Sequence, residues 1–179
     1  MNWTTEIRDF WFDELGSSDW FGASDAVDEQ IVERFHELWE EQKSKTAADF
    51  LDTPQTALAA IILFDQFPRN MFRGTAEAFS TDHLALQIAQ QMIDREYDHE
   101  LSDDQRTFAY MPFMHSEDLD DQTRSLGLFT ALGRKSNIKY AKEHRDIIAQ
   151  YGRFPHRNAV LGRETRPEEQ AAVEQGENW

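Results

Sequence analysis

The stretch PQTALAAIILFDQ, residues 54–66, contains eight consecutive apolar residues and decides the fold class. Thr53 before Pro54 predicts the start of a helix, because threonine caps helix N-termini and proline suits the first helical position. This helix would be apolar on every side, which is typical of a helix at the centre of a domain. We expect it to end at Gln66, since the residue before Pro68 is disfavoured in helical conformation.

Helical patterns continue on both sides of this central stretch. In VDEQIVERFHELWEEQ, residues 27–42, apolar residues form one stripe and the glutamates point away from it. Similar patterns predict further helices near residues 4–15, 76–97, 118–133 and 136–151. No alternating run of β-branched residues predicts a strand. The sequence therefore indicates an all-α protein of about seven to eight antiparallel helices.

The composition suits one domain with an aromatic core. A chain of 179 residues is long enough for a substantial core, and its 13 Phe, five Trp and four Tyr supply large apolar side chains. We expect a single helical domain over residues 1–179, with a polar tail that frays from about residue 171. The sequence contains no Cys, which excludes disulfides, thiolate catalysis and cysteine-based metal sites.

The overall charge argues against two classes of partner. With 18 basic and 34 acidic residues the net charge is −16, whereas nucleic acids and anionic membranes attract basic proteins. The longest apolar run, residues 57–64, is shorter than the roughly 20 residues that span a bilayer. The first residues also lack the pattern of a secretion signal. We therefore expect a cytoplasmic protein that binds neither nucleic acid nor membrane.

The basic residues are concentrated in one segment. From Arg134 to Arg166 there are nine Lys or Arg residues and three acids, which leaves nine basic and 31 acidic residues elsewhere. Such a segment either attracts a small anion or docks on the acidic body of the same domain.

Two segments share a Phe-Pro corner that precedes Arg and Asn: DQFPRNMFRG, residues 65–74, and GRFPHRNAVLGR, residues 152–163. In the first corner, Asp65 at a helix C-terminus faces the negative end of the helix dipole and needs a cation. Arg69 and Arg73 are the nearest cations, and a guanidinium can bind a carboxylate through two hydrogen bonds. Asn70 is suited to bond the backbone of the turn. This corner is either self-contained or part of a site.

The second corner carries cations without a matching acid. Its candidates are Arg153, His156, Arg157, Asn158 and Arg163. Because Glu164 is the only acid beside them in the sequence, their partners must come from elsewhere in the fold. Asp65, Glu117 and a bound anion are the alternatives. We expect the two corners to converge on one shared site.

A third polar patch follows Tyr110. We expect Pro112 to end a helix, which would leave His115, Ser116 and Glu117 in the next turn. Ser116 is suited to cap the following helix. His115 and Glu117 are either ordinary turn residues or an acid/base pair that works near neutral pH.

Metal binding gains little support from the spacing of possible ligands. His115, Glu117, His144 and His156 are suitable residue types, but no zinc-protease helix, EF-hand loop or phosphate-binding loop is present. We predict no metal site and no cofactor.

Four segments of the chain resemble a bacterial family that is named domain of unknown function 924: FWF (10–12), IILFDQFPRNMFRGTAEAF (61–79), RTFAYMPFMHSE (106–117) and YGRFPHRNAVLGRETRPEE (151–169). The resemblance covers most of the chain. It implies an all-helical, tetratricopeptide-like packing and no established substrate or reaction. The marked blocks of the family coincide with the polar corners.

Three functions fit these features. In the first, a pocket binds a small anionic metabolite, and His156, or His115 with Glu117, moves a proton as in a hydrolase or a transferase. In the second, a tetratricopeptide-like module binds a peptide, a partner protein or a second copy. In the third, the corners form a structural network without a ligand. The candidate ligand-binding residues are Asp65, Arg69, Asn70, Arg73, Tyr110, Arg153, Arg157, Asn158 and Arg163.

Overall fold

A computed structural model describes residues 2–174, and this part of the chain contains helices and no strand. The all-α prediction is confirmed. The helices are α1 (Trp3–Asp9), α2 (Ser17–Trp20), α3 (Asp25–Gln42), α4 (Pro54–Ile61), α5 (Phe67–Met71), α6 (Asp82–Asp94), α7 (Asp103–His115), α8 (Leu119–Leu132), α9 (Lys135–Tyr151) and α10 (Gln170–Glu174). None of the described helices is long and apolar enough to cross a membrane.

Helix α4 lies at the centre of the core, as its apolar sequence predicts. Its residues from position 57 to 61 are fully buried, and the helix contacts α1, α6 and α7. Aromatic side chains fill the space around it. Phe67 stacks on Phe35 with ring centroids 4.7 Å apart, and Trp11 contacts both Phe67 and Phe108 edge to face. Such pairs add to the stabilisation that burial provides.

The helical path continues through Pro68, so the prediction that it ends at Gln66 is wrong. Residues 62–66 form a π turn, and Phe67 keeps helical dihedrals of φ −60° and ψ −39°. Proline cannot donate to the carbonyl four residues earlier, which here belongs to Phe64. Thr81 Oγ1 donates to that carbonyl at 2.7 Å instead. The π turn thus accommodates the proline, and the Thr81 hydroxyl satisfies the carbonyl that it releases.

Helix α7 also contains a proline, and the prediction that Pro112 ends it is wrong as well. The helix runs on to His115. All residues from 107 to 114 are buried, because α7 packs against α4, α6, α8 and α9. This packing offsets the roughly 3 kcal/mol that an interior proline costs a helix. As a result, His115 is the last helical residue rather than part of a free turn.

In the second half of the chain, α7, α8 and α9 pack against one another, and an irregular segment follows α9. The predicted helices near 118–133 and 136–151 are confirmed as α8 and α9, whereas the helix predicted near 76–97 begins only at Asp82. Gly152 ends α9 with a left-handed φ of 71° and starts the second corner. Of the tail predicted to fray from residue 171, the part up to Glu174 is helical, and residues 175–179 lie outside the described residues.

Candidate functional site

The two Phe-Pro corners meet at Asp82, the first residue of α6. Arg69 donates from Nη1 and Nη2 to the two carboxylate oxygens of Asp82, at 2.7 and 2.9 Å. Arg157, from the second corner, places Nη1 3.7 Å from Asp82 Oδ2. A carboxylate also suits this position because the N-terminus of a helix is the positive end of its dipole.

Beside this cluster, Asp65 and His115 form a buried pair. Asp65 lies in the π turn and is fully buried, and its Oδ1 is 2.7 Å from His115 Nδ1. Arg69 Nη1 lies 3.5 Å from the same carboxylate oxygen, and Gln66 donates to Oδ2. Of the two predicted cations for Asp65, Arg69 is therefore in place and Arg73 is not.

The surroundings fix the protonation states of this pair. Burial raises the pKa of Asp65, but the adjacent His115 and Arg69 outweigh that effect and hold the pKa below its usual range. Burial and the charge of Arg69 lower the pKa of His115, although Asp65 partly opposes them. At neutral pH the imidazole is therefore neutral, with Nδ1–H donating to Asp65. The other ring nitrogen, Nε2, makes no hydrogen bond to any described residue and keeps its lone pair.

A cleft of about 1080 Å³ opens on one side of His115. Its polar lining includes Gln66, Arg69, His115 and His144, and its apolar lining includes Trp20, Phe108, Met111 and Met114. Phe21 is 65% exposed and Tyr140 is 51% exposed, and both contribute to the lining. Large concave surfaces with apolar walls and a few polar groups are where proteins usually bind small molecules.

A second cavity, of about 330 Å³, is lined by another set of residues that includes His115. Apolar side chains such as Phe79 and Leu161 form part of it, together with Asp82 and Arg157. His115 thus belongs to the lining of both cavities.

One buried acid, Glu169, binds Arg153 and Asn158 of the second corner and also Arg166, which follows it. Arg153 donates to both carboxylate oxygens of Glu169, at 2.7 and 2.8 Å. Asn158 donates to Oε2 at 3.0 Å, and Arg166 binds the same carboxylate. Glu169 is fully buried. These contacts attach the segment before α10 to the second corner.

Glu117 also binds the second corner, so the acid/base pair, one of the two alternatives for His115 and Glu117, does not form. The carboxylate of Glu117 accepts hydrogen bonds from Arg163 at 2.7 and 3.0 Å and from the backbone N–H of Phe154 at 2.7 Å. His115 turns to Asp65 instead, because it is still part of α7 and Glu117 lies beyond the helix end. The predicted role of Glu117 as a partner for arginines of the second corner agrees with these contacts.

His156 contributes to neither cavity lining. Burial and the charge of Arg157 lower the pKa of His156 to about 4. Its Nδ1 is buried without a hydrogen-bond partner, and its ring lies 5.7 Å from that of Phe154. The structure therefore does not bring this predicted catalytic residue to Asp65 and His115.

Three predicted ligand-binding residues lie in other contacts. Asn70 and Arg73 both donate to Asp28 of α3, at 2.7 to 2.9 Å. Tyr110 donates to Asp98 at 2.6 Å. These residues connect neighbouring helices and turns rather than line either cavity.

The predicted capping role of Ser116 is wrong. Asp118 caps α8 with its side chain, whereas the hydroxyl of Ser116 donates to Asp121. Because α7 runs on to His115, the turn before α8 starts later than predicted. This shift places Asp118, rather than Ser116, at the N-cap.

Sequence reasoning missed Asp82, Glu169 and the position of His144. Asp82 is the first residue of α6, and because acids are common in the first turn of a helix its position gave no sign of a further role. His144 lies on the apolar stripe of α9, which is a weak signal for a buried histidine. Its Nδ1 is 2.8 Å from the carbonyl of Tyr140. Burial, and to a smaller extent the charge of His115, lowers the pKa of His144 to about 3.

Among residues 2–174 no group of three or more potential ligands could hold a metal ion.

Fold and site together define an all-α protein in which a buried carboxylate–imidazole pair lies beside two cavities. The model of a bacterial protein family of unknown function, DUF924, matches residues 7–177, and the chain belongs to this family. It is also similar to a solved structure, that of a protein of unknown function from Agrobacterium tumefaciens. The two chains are 41% identical, with a TM-score of 0.90 and 97% of each chain covered. No curated protein matches the chain.

Proposed function

We propose that the protein binds a small, partly apolar anion in the cleft and moves a proton with His115, as a hydrolase or another general-base enzyme does. The observation that carries this proposal is the geometry of His115. Its Nδ1 is 2.7 Å from a fully buried carboxylate. The side chain lines the cleft, and its Nε2 has no hydrogen-bond partner among the described residues. This arrangement suits a positioned general base.

In the proposed reaction, Asp65 holds the imidazole in the tautomer that leaves Nε2 able to accept a proton. A bound substrate or an activated water molecule would supply that proton. Asp65 would then stabilise the imidazolium that forms.

The lining of the cleft contains three cations against two acids, Asp104 and Glu143. Lys135 contributes to it and forms no ion pair with a described residue. Lys135 is the first residue of α9, and the N-cap residue Arg134 provides no side-chain cap for that helix. The N–H groups of the first turn therefore remain available to an anion. The apolar wall that Phe108, Met111 and Met114 form favours a ligand with an apolar part.

The substitution His115→Asn tests the base directly. The side-chain amide of asparagine can donate to Asp65 as Nδ1 does, but it has no counterpart of Nε2. A panel of organic anions is first screened for ligands that raise the melting temperature of the wild-type protein. Turnover of these ligands is then followed by NMR. We expect His115→Asn to keep binding and to lose turnover by about 10²-fold or more, the usual contribution of a general base.

His99→Asn is the matched control, because His99 is exposed and contributes to neither cavity. Its turnover should equal that of the wild-type protein. Equal turnover in His115→Asn and the wild-type protein would contradict the role of the base. A panel of organic anions that leaves the melting temperature unchanged would contradict the binding site.

The exposure of Phe21 and Tyr140 favours a second candidate function, a tetratricopeptide-like module that takes an apolar side chain of a peptide or protein partner. Such a module would bind its partner equally well in the wild-type protein and in His115→Asn, without any turnover. The pairing of Arg153 and Asn158 with Glu169 agrees with a structural role for this part of the second corner.

A further inference from the structure

Arg157 is a buried guanidinium that makes few hydrogen bonds. Its side chain is 7% exposed. Nη2 donates to the backbone carbonyl of His115 at 3.0 Å, and Nε is buried without a partner. Nη1 is 3.7 Å from Asp82 Oδ2, beyond hydrogen-bond distance. Leaving buried donors without acceptors is costly, so the geometry calls for a further acceptor.

The carboxylates near Arg157 are already bound to other donors. Both oxygens of Asp82 accept hydrogen bonds from Arg69, and both oxygens of Glu117 accept them from Arg163. Neither acid approaches Arg157 as a hydrogen-bonding partner. No described residue therefore supplies a hydrogen-bond acceptor to Nη1 or Nε of Arg157.

The small cavity of about 330 Å³ lies beside Arg157 and has room for an external acceptor. The rings of Phe79 and Phe154 lie against the guanidinium, with centroids 4.7 and 4.5 Å from Cζ, and these contacts hold the group in place. Four apolar side chains line the 330 Å³ cavity, and its charged lining consists of Arg157 and two carboxylates that other arginines already bind. The apolar part suits the aliphatic body of a ligand, and Arg157 suits a single negative charge.

We propose that this cavity binds the carboxylate group of a small aliphatic acid, with Arg157 as its counter-ion. One guanidinium with unused donors matches a single negative charge through hydrogen bonds to both carboxylate oxygens. A phosphate dianion fits less well, because the carboxylates of Asp82 and Glu117 also contribute to the lining and repel a second charge. This extension rests on the proposed function. If that function holds, the reacting molecule or its co-substrate is an organic acid.

The experiment uses the full chain with ¹⁵N-labelled arginine and follows the Nε–H signal of Arg157 by NMR. Sodium butyrate is the probe, sodium chloride at equal ionic strength is the blank, and inorganic phosphate is the competing arm. We expect butyrate to shift the Arg157 signal with a dissociation constant in the millimolar range, about that of a ligand this small. Phosphate should bind more weakly, and chloride should leave the signal unchanged.

Variants at the exposed cavity residue Leu161 avoid any change to the buried arginine. Leu161 is 37% exposed, so a polar side chain is tolerated there. We expect Leu161→Glu to weaken butyrate binding about fivefold, the effect of one nearby like charge at a partly solvated site. Leu161→Gln, which removes the same apolar side chain without adding a charge, should bind butyrate more tightly than Leu161→Glu does.

An Arg157 signal that butyrate does not shift would overturn the proposal, as would equal affinities in the two Leu161 variants. Tighter binding of phosphate than of butyrate would overturn the assignment to a carboxylic acid. His115→Asn separates this site from the proposed function. If that variant binds butyrate and retains wild-type turnover of a cleft ligand, the base assignment fails while the carboxylate site stands.

Discussion

Acidification should destabilise the protein through His144, and the size of the effect can be worked out. His144 is 5% exposed, and its pKa in the folded chain is about 3, compared with an ordinary value of 6.5. Between these two values the unfolded chain binds a proton that the folded chain does not. The free energy of unfolding therefore falls as the pH falls, by up to about 1.4 kcal/mol per pH unit. From pH 7 to pH 5, His144 should account for a loss of about 2 kcal/mol.

Equilibrium urea unfolding at pH 7 and pH 5, at constant ionic strength, measures this loss. His144→Gln removes the titrating group, so its stability should fall by about 2 kcal/mol less than that of the wild-type protein. The exposed His99 provides the control, and His99→Gln should show the full wild-type loss. Acidification also reduces the net negative charge, but it does so similarly in all three proteins, so the difference between variants isolates His144.

The remaining loss should come from other buried histidines, since burial also lowers the pKa of His115 and His156. Asp65 contributes to the loss of stability only at lower pH. Because its pKa in the folded chain is lowered, its stabilisation is lost only as the pH falls below the ordinary carboxyl value of 3.8. An equal loss of stability in His144→Gln and the wild-type protein between pH 7 and pH 5 would refute this reasoning.

Three further predictions concern single side chains. Glu169→Gln should lower the free energy of unfolding in urea by about 2 kcal/mol, since it leaves two arginines without their carboxylate. At the exposed neighbouring position, Glu168→Gln should cost under about 0.5 kcal/mol. Equal losses in the two variants would contradict the role given to Glu169. Arg73→Ala should cost less than about 1 kcal/mol in urea unfolding and leave the affinity of cleft ligands unchanged, because its ion pair with Asp28 is at the surface. Phe21→Ala should weaken the binding of cleft ligands in thermal-shift titrations while the melting temperature of the unliganded protein stays within about 1 °C, because this ring is 65% exposed; unchanged affinity would place the ligand elsewhere.

Periodicity was sufficient to predict the all-α class, because each long helix carries a stripe of apolar residues. The chemistry of the first corner also predicted that Arg69 would lie beside Asp65, as it does. The sequence did not reveal that Asp82 lies between Arg69 and Arg157. Asp82 is 13 residues from Arg69 and 75 from Arg157, so its contact with both depends on how α6 packs.

The local rules for proline failed in both places where the site depends on them. They predict a helix end before Pro68 and at Pro112, yet the structure continues through both residues. The reason lies in tertiary contacts: Thr81 satisfies a carbonyl near Pro68, and neighbouring helices bury α7 around Pro112. A single sequence contains no local signal for either compensation. The pairing of His115 with Asp65 was missed for the same reason, since it follows from the continuation of both helices.

The π turn at residues 62–66 makes the contact between Asp65 and His115 depend on the number of residues in the chain as well as on their identity. A π turn is in effect one inserted residue that the wider turn absorbs, so the residues after it keep nearly the direction that a regular α-helix would give them. A one-residue deletion in α4 that leaves the π turn intact is not absorbed, and it would rotate every later residue of that helix by about 100° about the axis. Such a deletion would preserve every acid, arginine and histidine of the site, yet it would turn Asp65 away from α7. Homologues with the same site residues and the same π turn but an α4 shorter by one position would therefore lack the carboxylate–imidazole pair.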